Sequence, residues 1–164
     1  MEKFDVTIIG SGPGGYVSAI RCAQLGLKVA IVERYSTLGG TCLNVGCIPS
    51  KAWLEASEHY YKLKHQFENF GIDVKEANVD ILKMSQRVQD VVQEIINGVD
   101  YLMKKNKVTV YEGHGTIKEK NTIEIKGEDK TETITTDKII IATGSKPASL
   151  PNIKIDKKRI IPST

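Results

Sequence analysis

Apolar residues fall along this chain in two rhythms. Phe4-Asp5-Val6-Thr7-Ile8-Ile9, Lys28-Val29-Ala30-Ile31-Val32, Val108-Thr109-Val110-Tyr111 and Lys138-Ile139-Ile140-Ile141 are short, β-branched and nearly continuous. That is the pattern of buried parallel strands. Helical spacing fills the stretches between them. A first helix follows Gly15 and stops at Gly26, with Val17, Ile20 and Leu25 among its apolar residues. A second is predicted from Ala52, where Trp53, Leu54, Ala56, Tyr60, Tyr61 and Leu63 are spaced to bury one face. Gln66 to Asn78 is a polar connection that turns at Gly71. A third helix runs from an N-cap at Asp80 to Lys105. Its residues Val88, Val92, Ile95, Val99 and Leu102 form a seam at 4-3-4-3 spacing. Such a seam suits ordinary core packing, an antiparallel hairpin with the preceding helix, or a second subunit.

Two further runs, Thr122 to Ile125 and Thr131 to Thr135, alternate about Gly127-Glu128-Asp129-Lys130 and predict a β-hairpin. Pro147, Pro151 and Pro162 punctuate a tail with little periodicity. The elements together predict an α/β fold of three layers: a central parallel sheet, a helical layer with a helical hairpin, and a small antiparallel β-meander.

Composition narrows the function. With 164 residues, 40% hydrophobic and 26% charged, the chain can bury a core of its own. Its net charge of +3 is scattered, which points away from nucleic acid and anionic membranes. No apolar run approaches the roughly 20 residues of a membrane span. The first strand follows Met1 almost at once, so no signal or transit peptide is expected, and a reducing, cytoplasmic setting follows. In that setting close cysteines are more often catalytic or metal-binding than structural.

The first strand leads into Gly10-Ser11-Gly12-Pro13-Gly14-Gly15, a G-x-G-x-x-G at Gly10, Gly12 and Gly15. A helix, a second strand and the acid Glu33 follow within about 30 residues, as in a dinucleotide-binding βαβ unit. Gly10 permits the tight turn, Gly12 lets backbone approach a pyrophosphate, and Gly15 lets the helix lie on the sheet. The helix N-terminus favours phosphate, and Glu33 can accept hydrogen bonds from ribose hydroxyls.

Chemistry concentrates at Gly39-Gly40-Thr41-Cys42-Leu43-Asn44-Val45-Gly46-Cys47-Ile48-Pro49-Ser50-Lys51. On a regular helix the Cα atoms of Cys42 and Cys47 would lie roughly 8–9 Å apart. A disulfide tolerates only about 4.4–6.8 Å, so pairing requires a distorted turn, which Gly46 and Pro49 suit. A strained, accessible disulfide is the labile kind. Zinc is the competing use, although no second Cys/His pair completes four ligands. Lys51 is either a surface lysine or a charge that stabilises a thiolate or a reduced ring. Cys22 reads as a small buried hydrophobe, His59 and His65 as exposed helix residues, and His114 as part of a Gly-His-Gly loop.

The wording of the cysteine segment, set after Gly10–Gly15, resembles that of the flavoprotein disulfide reductases, and most the dihydrolipoamide-oxidising branch. Gly113-His114-Gly115 and Ala142-Thr143-Gly144-Ser145 fit the FAD lobe of that family as well. The resemblance implies FAD held at Gly10, Gly12, Pro13, Gly14 and Gly15, with Glu33 on the adenosine ribose. Arg34, Gly40, Thr41 and Cys42 would line the dinucleotide, Lys51 would approach the isoalloxazine, and Gly115 would border the adenine. Thr143, Gly144 and Ser145 would close the near side. It further implies a Cys42–Cys47 redox pair, Cys42 taking the attack of dihydrolipoamide and Cys47 facing the flavin, with NAD⁺ as final acceptor. The implied partners are lipoyl domains and the core of 2-oxo acid dehydrogenase complexes, in a homodimer of the full-length protein. Mercuric and glutathione-type reductases, and a non-catalytic nucleotide-binding module, stay open as alternatives.

Members of that family are much longer. Residues 1–150 are expected to form the N-terminal part of an FAD-binding domain, and 151–164 a linker toward an NAD-binding domain. By itself this stretch is expected not to turn over.

Overall fold

A computed structural model describes residues 1–161, so Pro162 and the last two residues of the expected linker lie outside the described residues. Four strands run parallel: β1 (Lys3–Ile9), β2 (Val29–Glu33), β3 (Thr109–Glu112) and the second half of β6 (Thr131–Ile141). Two more, β4 (His114–Glu119) and β5 (Thr122–Lys126), join β6 antiparallel. The order across the sheet is β3-β2-β1-β6-β5-β4. Ile8 of β1 pairs with Ile31 of β2 on one side and Ile140 of β6 on the other.

Alternation along the strands sends side chains to two cores. Val29 and Ile31 face the helices with Ile8, Ala19, Leu43, Val99 and Met103. Ala30 and Val32 face the meander with Phe4, Ile9, Ile123, Ile125 and Ile134. Helix, sheet and meander are thus the three expected layers.

Helix α1 (Pro13–Gln24) carries Pro13 in its first turn and stops before Gly26, whose φ is +85°. It lies on the sheet through its smallest residues. Gly15 and Ala19 are buried, whereas Val17 and Leu25, expected among the apolar face, are more than half exposed. A Cβ on Gly15 would run into the carbonyl oxygen of Gly10. Close approach at Gly15 seats this helix, with Tyr16 and the predicted Ile20 packed partly buried against the same core.

Helix α2 (Gly40–Asn44) is short, and α3 (Cys47–His65) starts five residues before the predicted Ala52. Pro49 is the reason this costs nothing: in the first turn its missing N–H has no partner to lose. The face read from Trp53 to Leu63 is not buried. No residue of α3 is, and Trp53, Leu54, Tyr60 and Tyr61 are exposed. Helical spacing specifies a face but not what covers it.

A 3₁₀ turn (Phe67–Phe70) ends at Gly71, φ +74°. Asp80 then caps α4 (Ile81–Lys105), its carboxylate accepting from the N–H groups of Leu82 and Lys83 at 3.1 Å each. Helices α3 and α4 pack together as the expected hairpin. The seam differs by one position in two places. Val88, Ile96, Val99 and Met103 are buried instead of Ile95 and Leu102. Val99 and Met103 face the sheet-side core, which α1 and α2 also line.

Two strand expectations change. β3 is an edge strand with Val110 44% exposed, not a core strand. The hairpin strand and the strand at Lys138 are one continuous β6, which trades its partner β5 for β1 near Thr135. The later half is not buried: Ile139 and Ile140 are half-buried, and Ile141 is 67% exposed.

Candidate functional site: a glycine cradle beside a cysteine turn

The four parallel strands end on one edge, and the segments that follow them hold the predicted site residues. In open α/β sheets this is where ligands bind, at the point where chain order reverses. Here the reversal falls at β1, which has β2 on one side and β6 on the other.

After β1, Gly10 turns with φ +98°. Its N–H donates to the carbonyl of Val32 at 2.8 Å. A Cβ there would strike the Ala142 carbonyl and come within 3.0 Å of Thr143 Cα. The glycine loop and the segment after β6, with Thr143, Gly144 and Ser145 all exposed, are therefore in backbone contact. Gly12 is the N-cap of α1 and makes no side-chain cap hydrogen bond; Pro13 and Gly14 are exposed beside it.

After β2, Glu33 is 6% exposed. Its Oε2 accepts from the Ser11 N–H at 2.9 Å and the Ser11 hydroxyl at 2.6 Å, and its Oε1 accepts from the Tyr35 N–H at 3.1 Å. A carboxylate offers about four acceptor positions. One on Oε1 is thus left for a hydroxyl from outside. Arg34 lies at the surface with its guanidinium stacked 4.6 Å over the Tyr35 ring.

The chain then returns to the glycine loop. Gly39 donates to the Ser11 carbonyl at 3.0 Å, and a Cβ on Gly40 would come within 2.7 Å of Gly12 Cα. Asn44 stitches the segment by donating to the carbonyls of Leu38 and Gly40 at 3.0 and 2.9 Å and accepting from Thr37 at 2.9 Å. Leu38 and Leu43 are buried beneath it.

The break between α2 and α3 falls at Val45-Gly46. Gly46 adopts φ −124°, ψ −111°, and a Cβ on it would meet the Thr41 carbonyl at 2.8 Å. This is the distorted turn that pairing requires. Cys42 and Cys47 face each other across it as free thiols, Cys42 half-buried and Cys47 exposed; Thr41 is exposed beside them. A side-chain hydrogen bond with Cys47, ahead of burial, raises the Cys42 thiol above its ordinary pKa, while the charge of Lys51 pulls it down. Lys51 is exposed one turn into α3 from Cys47.

Gly115 sits on β4 just past the end of β3, where a Cβ would press on Val32 and Ile9 at 3.2 and 3.4 Å. It is the one predicted site residue on the meander side of the sheet. Cys22 is partly buried against the helix-side core, and His59, His65 and His114 are exposed, apart from the cysteines in the fold. Sequence reasoning passed over Ser11, Thr37 and Asn44. The signals were present as a serine inside the glycine motif and an asparagine two residues after a cysteine. Among the described residues no helix is long and apolar enough to cross a membrane.

Comparison with known proteins gives a consistent picture. Residues 4–162 match the family model described as pyridine nucleotide-disulphide oxidoreductase. The chain is 48% identical, over 99% of its length, to a dihydrolipoyl dehydrogenase of Trypanosoma brucei brucei, covering 34% of that protein. It is 49% identical, again over 99% of its length, to dihydrolipoyl dehydrogenase 1, mitochondrial, of Arabidopsis thaliana, covering 32% of it. Among solved structures, a copper(II) complex of the HOCl-induced flavoprotein disulfide reductase RclA from Escherichia coli superposes with a TM-score of 0.75 at 25% identity, over 94% of this chain and 32% of that one. The chain spans about a third of the length of these curated relatives.

Proposed function

This chain belongs to the pyridine nucleotide-disulphide oxidoreductase family, and from that premise we propose that it is the FAD- and disulfide-bearing part of an enzyme that oxidises protein-bound dihydrolipoamide. The observation that carries the proposal is the meeting of Cys42 and Cys47 across the break between α2 and α3, with Gly40, the first residue of α2, against Gly12 of the glycine loop. A redox dithiol next to a nucleotide cradle is what such an enzyme needs. The near-half identity to proteins named dihydrolipoyl dehydrogenase favours that substrate.

The residues present fit FAD. A Cβ on Gly10 or Gly40 would strike neighbouring backbone, at Ala142 and Gly12, whereas one on Gly12 would meet no protein atom within 4 Å, which leaves room there for a pyrophosphate; Glu33 keeps an acceptor position free for a ribose hydroxyl. Gly12, Pro13 and Gly14 at the α1 N-terminus would hold the pyrophosphate, with Thr143, Gly144 and Ser145 opposite. Arg34 and Gly115 would border the adenosine, and Thr41 and Lys51 would approach the ring system. FAD, when bound, supplies a two-electron relay between the dithiol and NAD⁺. The chain's own part is thiol–disulfide exchange. A dihydrolipoyl thiolate attacks the Cys42 sulfur of a Cys42–Cys47 disulfide, and Cys47 leaves as a thiolate. The second dihydrolipoyl sulfur then attacks the mixed disulfide and releases Cys42. The substrate dithiol becomes a disulfide, the protein disulfide becomes a dithiol, and two protons are released or retained on the thiols. Lys51, whose charge already acts on Cys42, would favour the thiolate forms.

Residues 1–150 would be the N-terminal part of the FAD-binding domain, and 151–164 the connection toward an NAD-binding domain. Partners would be the lipoyl domains and core of a 2-oxo acid dehydrogenase complex, with the full-length protein a homodimer. The proposed setting is the cytoplasm, checked by fractionation, since several relatives carry mitochondrial names. Turnover belongs to the intact protein, and the 164 residues alone should be inactive. The test is NAD⁺ reduction by the intact protein with dihydrolipoamide, in parallel with NAD(P)H oxidation by glutathione disulfide and by mercuric ion. The proposal expects activity with dihydrolipoamide; activity confined to either other substrate would overturn it.

A further inference from the structure

Ser11 is fully buried at the centre of the glycine motif, and the G-x-G-x-x-G pattern gives it no role. Its hydroxyl has a single proton, which it donates to Glu33 Oε2 at 2.6 Å, and its N–H donates to the same oxygen at 2.9 Å. The Gly39 N–H is shared between the Ser11 carbonyl at 3.0 Å and the Ser11 Oγ at 3.3 Å. One hydroxyl therefore faces the carboxylate with its proton and the cysteine segment with its lone pair. Gly39 is the N-cap of α2, the helix that carries Cys42.

We propose that Ser11 is a positioning residue that couples the ribose-binding carboxylate of Glu33 to the cysteine turn at Gly39–Cys47. The proposal rests on the reading of Gly10–Glu33 as an FAD cradle. The 2.6 Å bond is charge-assisted and of the strong class. It fixes Oε2, so that the acceptor position left on Oε1 points in one direction. When a ribose hydroxyl donates to Oε1, charge is drawn from Oε2, and the Ser11 hydroxyl is less strongly polarised. The shared Gly39 N–H then redistributes between the Ser11 carbonyl and hydroxyl, and the start of α2 moves with it. Because coupling between two binding events is reciprocal, the state of Cys42 and Cys47 must in turn alter affinity for the nucleotide. No other side chain in the structure touches both Glu33 and Gly39 among its hydrogen bonds in the described residues.

The test uses the intact protein as wild type, S11A, E33Q and the double variant. FAD affinity is read by quenching of flavin fluorescence on the apoprotein. Alkylation of Cys42 and Cys47 by iodoacetamide is read against pH, with and without FAD, and the sites are assigned by mass spectrometry. S11A is expected to weaken FAD binding about ten- to a hundredfold, the range for a lost hydrogen bond to a charged group. Added to E33Q it should cost little more, because Ser11 acts through Glu33. At saturating FAD the FAD-dependent shift of the Cys42 profile should be smaller in S11A than in the wild type, the remainder being direct contact with the nucleotide. Independent, multiplying effects of S11A and E33Q would overturn the proposal, as would an FAD-dependent shift of Cys42 in S11A as large as in the wild type. In the wild type, amide exchange over Gly39–Asn44 should slow when FAD is added; unchanged exchange there would also overturn it, and this arm needs no variant to fold. Should the wild type bind no FAD, the functional reading itself falls. The nucleotide-free arm then still decides the contact: S11A must shift the Cys42 alkylation profile, and an unmoved profile contradicts it.

Discussion

The turn after β1 is closed almost wholly by backbone, whereas the turn after β2 is held together by side chains. At Gly10 and Gly15 the chain contacts the Ala142 segment and itself at distances that leave no room for a Cβ. Between Arg34 and Cys47 the shape depends on Asn44, Thr37, Leu38 and Leu43, each contributing a hydrogen bond or buried surface. The first arrangement makes a rigid cradle that tolerates no added atom at Gly10 or Gly15. The second makes a turn whose geometry can be adjusted one side chain at a time, and it carries both cysteines. Rigid backbone suits recognition of a large, invariant cofactor, and an adjustable turn suits tuning of a sulfur pair. Ser11 is where the two meet.

Substitutions can break this contrast from either side. The largest effect is expected on chemistry: C42S and C47S in the intact protein should each lower dihydrolipoamide-dependent turnover by about a thousandfold or more, the scale of losing a catalytic nucleophile. Stability measured by urea should move by less than about 1 kcal/mol, since neither residue is in the core. Next, Gly15→Ala should cost about 3 kcal/mol or more in the same urea measurement, because the new methyl falls on the Gly10 carbonyl and backbone must shift. A cost under about 1 kcal/mol would remove the claim of a rigid cradle. Asn44→Ala should cost about 1–3 kcal/mol, less than Gly15→Ala, with a folded protein retained.

A pH-dependent effect sharpens the picture of the turn. The Cys42 thiol is raised because it shares a hydrogen bond with Cys47, so its alkylation in the reduced protein should begin at higher pH than that of an ordinary thiol. Cys47→Ala removes the shared bond while leaving Lys51 in place. The midpoint for Cys42 should then move to lower pH; an unchanged midpoint would show that burial, not Cys47, is the cause. The smallest effect is expected at Thr7, whose hydroxyl is fully buried in β1 with no hydrogen-bond partner among the described residues. Thr7→Val should be neutral or stabilise by up to about 1 kcal/mol in thermal or urea unfolding.

The same contrast explains how much of the molecule was legible in its sequence. Gly10 and Gly15 could be assigned because their roles are steric and local, and Asp80 because a cap acts within three residues. The need for a bent turn between Cys42 and Cys47 followed from helix geometry alone. What escaped depends on distant partners. Ser11 matters through a carboxylate 22 residues away. The α4 seam slipped by one position because α4 meets α1, α2 and the sheet as well as α3, and Met103 is buried in the core they share. β6 was read as two strands because its polar stretch at Thr135-Thr136-Asp137 looks like a break, yet it is only where one neighbour is exchanged for another. The apolar positions of α3 announced a buried face that stands exposed here, since a periodic pattern carries no information about its partner.

The central claim is that Cys42 and Cys47 form a redox couple served by FAD in the adjoining cradle. The direct measurement is an anaerobic titration of the intact, FAD-bound oxidised protein with dihydrolipoamide, counting accessible thiols and locating them by alkylation and mass spectrometry. One equivalent should produce two new thiols, at Cys42 and Cys47, with a change in the flavin's visible spectrum that C42S does not give. An unchanged thiol count, or the same spectral change in C42S, would contradict the account.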